Sequence, residues 1–394
     1  VKDFRGFSKT ESVFVNFGWK KTVIYSLLPL LALLVLLEGA GRVIELWRPP
    51  WKVDYGWGFD SDSKLFIPSP TEQDFMMTNP SKEVSFQKER FEARKPQNVF
   101  RIFMLGGSSV NYLFGWLKGV EEAFGEEFDS KVRFEVIDCG GLAYGTHRLV
   151  PILSEVMNYE PDLILIYSGH NEFEELEQSR FVNLKSLPLQ KVLYKSAFCR
   201  LIRDGIAALE ISKVQKEKNG KILSVTQADY QSGAAHHYTK EEVEERMISY
   251  RNNLSLMMEM CASKNVPVII GTVASNMWKP DLPTNEQEKQ VQDLYAQGKY
   301  EEGYALAREI LRTSERHQAS DAENDIIREL AEKYHAPVAD VLKAVSDAEP
   351  HHIPGETLHG DRCHLNPKGN DILVETYMRT ILDLLKNNPA FLRK

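Results

Sequence analysis

Between Val99 and Val341 the chain alternates short apolar runs with longer stretches of helical period. Val99 to Leu105, Val132 to Ile137, Leu163 to Tyr167, Val266 to Gly271 and Pro337 to Val341 read as buried strands. Between them, Val110 to Phe124, His147 to Met157, Lys240 to Ser263 and Ala322 to Tyr334 read as helices. Strand, helix, strand in repetition predicts an α/β protein with a parallel sheet and helices on both faces. In such sheets ligands bind beyond the carboxyl ends of the strands, so the residues just after each apolar run are where chemistry is sought.

The N-terminal pattern is different. Val23 to Leu37 is uncharged, and Gly39, Ala40, Val43, Ile44 and Leu46 extend its apolar character. The strict run falls short of the roughly 20 residues that cross about 30 Å of hydrocarbon. Snorkelling by Lys20, Lys21 and Arg42 closes that gap, with Glu38 near an interface. The segment Glu38-Gly39-Ala40-Gly41-Arg42 is a poor cleavage site, so residues 22–46 are read as a transmembrane anchor rather than a removed leader or a core helix. Lys2, Arg5, Lys9, Lys20 and Lys21 precede the span, against Arg42, Arg48 and Lys52 after it. That excess predicts a cytoplasmic N-terminal segment over 1–21 and a domain on the outer, periplasmic side.

Residues 47–97, rich in Trp, Pro, Asp and Ser without sustained periodicity, read as an extended connector, and 98–394 as the main domain. Two insertions interrupt that domain, at about 173–238 and about 284–314. The first holds a predicted helix around Gln190 to Ile211. The second, through Leu294-Tyr295-Ala296-Gln297-Gly298-Lys299-Tyr300, reads as one tetratricopeptide-like hairpin. A lone hairpin cannot form a solenoid, so it is expected to cap the domain.

Composition narrows the class. The 394 residues, 43% hydrophobic and 26% charged, are those of a folded protein. A net charge of −8 without any Lys/Arg-rich run argues against nucleic-acid binding. Cys139, Cys199, Cys261 and Cys363 show no CxxC spacing, which indicates neither a zinc site nor a disulfide framework. Whether Cys139 and Cys363 pair is left open.

Four stretches carry candidate chemistry. Gly106-Gly107-Ser108-Ser109 follows the first strand, where a tight glycine turn exposes Ser108 at a helix N-terminus. A plain strand-to-helix turn with a serine cap has the same appearance. A phosphate loop lacks its Lys and its GxGxxG spacing. Asp138-Cys139-Gly140-Gly141-Leu142-Ala143-Tyr144-Gly145 follows the second strand and offers a backbone N–H to a cleft. In Ser168-Gly169-His170-Asn171-Glu172, after the third, Asn171 is an amide donor or a turn residue. Near the C-terminus, Asp361-Arg362-Cys363-His364 places an acid and a histidine three apart. A serine on a glycine turn with a distant Asp/His pair supplies the parts of an activated hydroxyl nucleophile. His351, His352, His359 and His364, with Glu356 and Asp361, match no compact metal motif, so neither metal nor cofactor is expected.

Taken together and in this order, the four blocks resemble the GxS, Gly, GxND and DxxH motifs of the SGNH hydrolases, the GDSL-like family. The likeness runs from about Val99 to the C-terminal helix, and looks closest to membrane-anchored bacterial members with GGSS-type first blocks and tetratricopeptide-like inserts. Phe100-Arg101-Ile102-Phe103, Thr272-Val273-Ala274-Ser275-Asn276 and Ile353-Pro354-Gly355 share in it. The resemblance implies a flavodoxin-like three-layer α/β/α sandwich, the SGNH hydrolase fold. By resemblance, Ser108 is the nucleophile, His364 the general base and Asp361 its orienting acid. The oxyanion hole would combine the Ser108 N–H, a second-block N–H (Gly141, with Ala143 the alternative) and the Asn171 side chain. Gly107 stands where the family has Asp, and Glu172 where GxND has Asp. The implied activity is a serine esterase or acyl-transferase acting on an acyl ester, acetyl included, of an envelope glycan or a lipid. The rival reading is a catalytically silent subunit of a membrane complex, docked through the helical insert.

Overall fold

The computed structural model describes residues 19–48, 64–83, 85–127, 132–173, 189, 192–193, 195–205 and 238–393. Five parallel strands form its centre: β4 (Val99–Gly106), β5 (Arg133–Gly140), β6 (Leu163–Tyr167), β7 (Val268–Gly271) and β8 (Val338–Ala339), after three shorter strands given below. Their order is β5-β4-β6-β7-β8. The chain therefore steps from β4 to one side, then crosses back to the other. This is the doubly wound, flavodoxin-like order, with its switch point between β4 and β6.

Helices cover both faces. On one lie α3 (Phe114–Glu127), α9 (Val341–Ala348) and α10 (Pro367–Asn387); on the other lie α4 (Thr146–Val156), α5 (Lys240–Ser263) and α8 (Asp321–Tyr334). Capping boxes start α5 at Thr239/Glu242 and α8 at Ser320/Glu323, each satisfying two backbone donors. The predicted helix Val110 to Phe124 is instead a single turn, α2 (Ser108–Asn111), followed by α3. The last predicted strand shrinks to Val338–Ala339, because Asp340 caps the helix beginning at Val341.

The stretch read as a connector folds from residue 64 onward. β1 (Phe66–Pro68), β2 (Phe75–Thr78) and β3 (Arg90–Glu92) form a small antiparallel sheet. Phe66 and Phe91 meet edge to face at 4.9 Å, and Phe91 meets Phe103 of β4 at 5.7 Å. Strands of three or four residues are too short to show an alternation, which is why the sequence gives no sign of them. Arg101, in the middle of apolar β4, is fully buried between these layers. It pairs with Glu135 at 2.6 Å and donates to the carbonyls of Tyr159 and Glu92. Such complete pairing is what allows a guanidinium inside a core.

The ends of the first insertion meet, with Tyr238 donating its hydroxyl to the Phe173 carbonyl at 3.0 Å. Within it, residues 197–205 are helical, and the rest of the predicted Gln190 to Ile211 helix lies largely outside the described residues. The second insertion is a two-helix hairpin, α6 (Asn285–Ala296) and α7 (Tyr300–Thr313), with its own small core around Met277, Val291, Tyr295 and Leu311. At the N-terminus, α1 (Trp19–Glu45) contains Tyr25–Glu45, with a mean hydropathy of 2.0 and only 6% buried. It is long and apolar enough to cross a membrane, and it is not a core helix.

Candidate active site

The sheet brings three of the four blocks to one level. Gly106 pairs in register with Gly140 on one side and Tyr167 on the other, so the loops after β4, β5 and β6 open on the same edge. Ser108 is the first residue of α2 and is 8% exposed. Its Oγ lies 2.7 Å from His364 Nε2. His364 Nδ1 lies 2.7 Å from Asp361 Oδ2. The carboxylate fixes the tautomer: Nδ1 carries the proton and donates, leaving Nε2 to accept from the serine hydroxyl. Residues far apart in the chain thus form one hydrogen-bonded relay.

Asp361 is anchored by its own loop, its Oδ1 accepting from the N–H groups of Cys363 at 2.9 Å and His364 at 2.7 Å. Partial burial pushes its carboxyl up. The donors from His364 and Cys363 and the electrostatic attraction of the imidazole outweigh that and hold it below the usual carboxylate range. It remains an anion wherever His364 needs an acceptor.

Asn171 lines the same cleft and donates its amide to the Tyr144 carbonyl at 3.1 Å. A Cβ at Gly107 would stand 2.3 Å from that amide nitrogen. Glycine at this position, where the resembled family has Asp, is therefore a steric condition for Asn171 to sit where it does. Glu172 turns away from the cleft. Fully buried, it accepts from Thr146 N at 2.8 Å, Thr146 Oγ1 at 2.7 Å and Arg246 Nη2 at 3.0 Å, tying the loop after β6 to α4 and α5.

The second-block donor needs correction. The Gly141 N–H, one of the two options, donates to the Gly106 carbonyl at 3.0 Å and is spent on the sheet edge. Leu142 N donates to Ser85 O and Tyr144 N to Gly141 O. Ala143 lies between them at φ 60°, a left-handed conformation that an alanine adopts at some cost. It lines the cleft, and no described residue accepts its N–H. The hydrogen bond that disqualifies Gly141 crosses between strands, so spacing alone could not have revealed it.

The cleft itself has a volume of 1290 Å³ and runs from Ser108 towards the α6–α7 hairpin, reaching Trp278, Glu288 and Gln292. Tyr112 stands over the imidazole, ring centroids 5.0 Å apart. Asn276, at the end of the segment after β7, is a residue to which sequence reasoning gave no role. Its Nδ2 donates to the Asp361 carbonyl and its N–H to the Arg362 carbonyl, both at 3.0 Å. The rule that pointed to the first three blocks, looking just beyond a strand's carboxyl end, would have pointed to it too.

The histidines considered for a metal do not gather. His351 stacks on Tyr300 at 3.7 Å, and His352 is exposed. Among the described residues, the one converging set of metal-binding atoms is Asp361, Cys363 and His364, and there His364 is already engaged by Ser108 and Asp361. All four cysteines are free, so Cys139 and Cys363 are not paired.

No family model and no curated protein matches the chain. Solved structures to which it is similar include an acetyl xylan esterase, at TM-score 0.40 and 13% identity over 72% of this chain and 100% of that one. An acetylxylan esterase from Geobacillus stearothermophilus gives 0.39 and 13% over 73% and 96%. A GDSL-like lipase from Bacteroides thetaiotaomicron gives 0.37 and 13% over 72% and 89%. At such remote values the reading of the site stands on its own geometry.

Proposed function

We propose that this chain is a membrane-anchored serine ester hydrolase or acyl-transferase of the SGNH type, acting outside the cytoplasm on an acyl ester of an envelope glycan or lipid. One observation carries the reading: Ser108 Oγ, His364 and Asp361 linked by two hydrogen bonds of 2.7 Å at the carboxyl edge of a doubly wound sheet. Ser108 Oγ attacks the ester carbonyl while its proton passes to His364 Nε2. The tetrahedral oxyanion is held by the Ser108 N–H, the Ala143 N–H and the Asn171 amide. Collapse breaks the ester bond, and His364 returns the proton to the leaving alkoxide. Water or an acceptor hydroxyl then repeats the sequence on the acyl-enzyme and frees Ser108. The long cleft, bounded by the hairpin, supports a substrate larger than a simple ester.

The test is labelling of the purified protein with a fluorophosphonate, beside Ser108→Ala and His364→Ala. Labelling of the wild type is expected to vanish with Ser108→Ala and to slow by at least about 10³-fold with His364→Ala. A folded wild type that takes no label would point instead to a non-catalytic docking subunit.

A further inference from the structure

The reaction leaves one part of the molecule unused. The first insertion departs just after Asn171 and Glu172, and where it is described again it lies against α1. Glu38, in the apolar part of α1, accepts from Ser196 Oγ at 2.6 Å and from the N–H groups of Ala197 and Phe198 at 3.2 and 3.3 Å. Its carboxylate thereby closes the N-terminus of the helix over 197–205, and Arg42 pairs with it at 2.7 Å. Two turns further along α1, Glu45 takes Arg200 through Nε at 2.8 Å and Nη2 at 2.7 Å. Between these two locks the backbones touch: a Cβ at Gly41 would stand 2.9 Å from Phe198 N. Gly39, two residues away, faces open space.

A carboxylate within an apolar span needs dedicated partners, and here the insertion supplies them. The apolar side chains next to these locks are bare. Leu189, Val192, Leu193 and Ile202 are 59%, 61%, 45% and 48% exposed, like the leucines of α1 itself.

We propose that this helix, with the apolar residues just ahead of it, is a second membrane-contacting element. It is seated on α1 and lies at the boundary of headgroups and acyl chains, with those four side chains in lipid. The occupant is lipid because the bare side chains belong to an element bonded directly to α1, whose own exposed leucines a bilayer covers. The inference rests on α1 spanning a membrane. It changes the attachment from a single helix to a two-helix wedge, and joins that wedge to the loop that carries Asn171.

The experiment uses the full chain in vesicles of phosphatidylethanolamine and phosphatidylglycerol doped with a lipid bearing a diazirine high on its acyl chain. Adducts are mapped by mass spectrometry after irradiation, with a thermal melt to confirm folding of each variant. Adducts are expected on α1 and on Val192, Leu193 and Ile202, in the wild type and in Gly39→Leu. They should be lost from those three, and kept on α1, in Gly41→Leu and in Arg200→Glu. Adducts confined to α1 in the wild type would overturn the proposal while leaving α1 as a span. Adducts absent from α1 would overturn both. Adducts on the insertion that persist in both disrupting variants would overturn its seating on α1.

Discussion

Ser108 and His364 meet at 2.7 Å but come from regions built by different means. Ser108 follows a strand whose eight residues are all buried, paired throughout with β5 on one side and over Ile102–Gly106 with β6 on the other. Asp361 and His364 stand on a loop, with side chains 55% and 22% exposed. That loop is held by point contacts. Asn276 grips its backbone from one side, and the isolated bridge between His359 and Leu365 closes it from the other. Just upstream, the buried Glu349 accepts from Gly355 N, Thr357 N and Leu358 N and fixes the approach. Close packing makes the first region sensitive to volume; discrete hydrogen bonds make the second sensitive to the loss of a donor.

The sharpest way to break this contrast is to add one carbon to the buried half. Gly107→Ala places a Cβ 2.3 Å from the Asn171 amide nitrogen and 3.1 Å from the Tyr144 carbonyl that the amide bonds, so the amide must leave its position. Losing one oxyanion donor costs about 10²–10³-fold in turnover, and that is the expected fall in activated-ester hydrolysis. A variant within about threefold of wild type would show that Asn171 does not serve the oxyanion.

The exposed half should respond to a lost bond instead. Asn276→Ala removes the donor to the Asp361 carbonyl and the Oδ1 acceptor for Lys279 N. Asn276 touches no reacting atom, so it is a positioning residue. A looser loop should lower kcat by about tenfold with KM little changed, equivalent to about 1.4 kcal/mol. Asn276→Asp keeps the acceptor but not the donor, and should share the kcat defect while recovering thermal stability. A drop in thermal midpoint with unaltered kcat would reduce Asn276 to a structural contact.

The same contrast explains what could be read from the chain. Strands β4 to β7 are mostly apolar because both sheet faces are covered, so burial itself writes them into the sequence. Ser108, Asn171, Asp361 and His364 stand beside strand ends or a helix start, where local pattern marks them. The choice of Ala143 over Gly141 and the clamp of Asn276 on Asp361 depend on partners distant in sequence, and Glu349 carries no local mark because it acts through backbone donors from Gly355 to Leu358. The turn broken at Tyr112 is of the same kind, since nothing local in Val110 to Phe124 marks an end to the helix.

The last expected effect concerns the cost of burying an imidazole beside Asn171. His170, next to Asn171, is 5% exposed and accepts the Ala319 N–H through Nδ1 at 3.1 Å. Burial, helped by repulsion from His364 and His359, pushes its pKa from 6.5 down to about 3. The folded state therefore refuses a proton that the unfolded chain accepts. Stability is complete above pH 6.5 and declines as pH falls towards about 3, by up to about 1.4 kcal/mol per pH unit for this residue. Buried Glu89, Asp138 and Glu155 act in the opposite sense, because burial raises their pKa values and the folded state holds their protons more tightly than the unfolded. The total slope mixes both signs, so the test is a difference. In urea unfolding of the full chain between about pH 7 and 4, His170→Gln should flatten the acid decline by at most one proton. An unchanged slope would mean that His170 stays as protonatable folded as unfolded, and that the enclosure assigned to the Asn171 side of the site is not there.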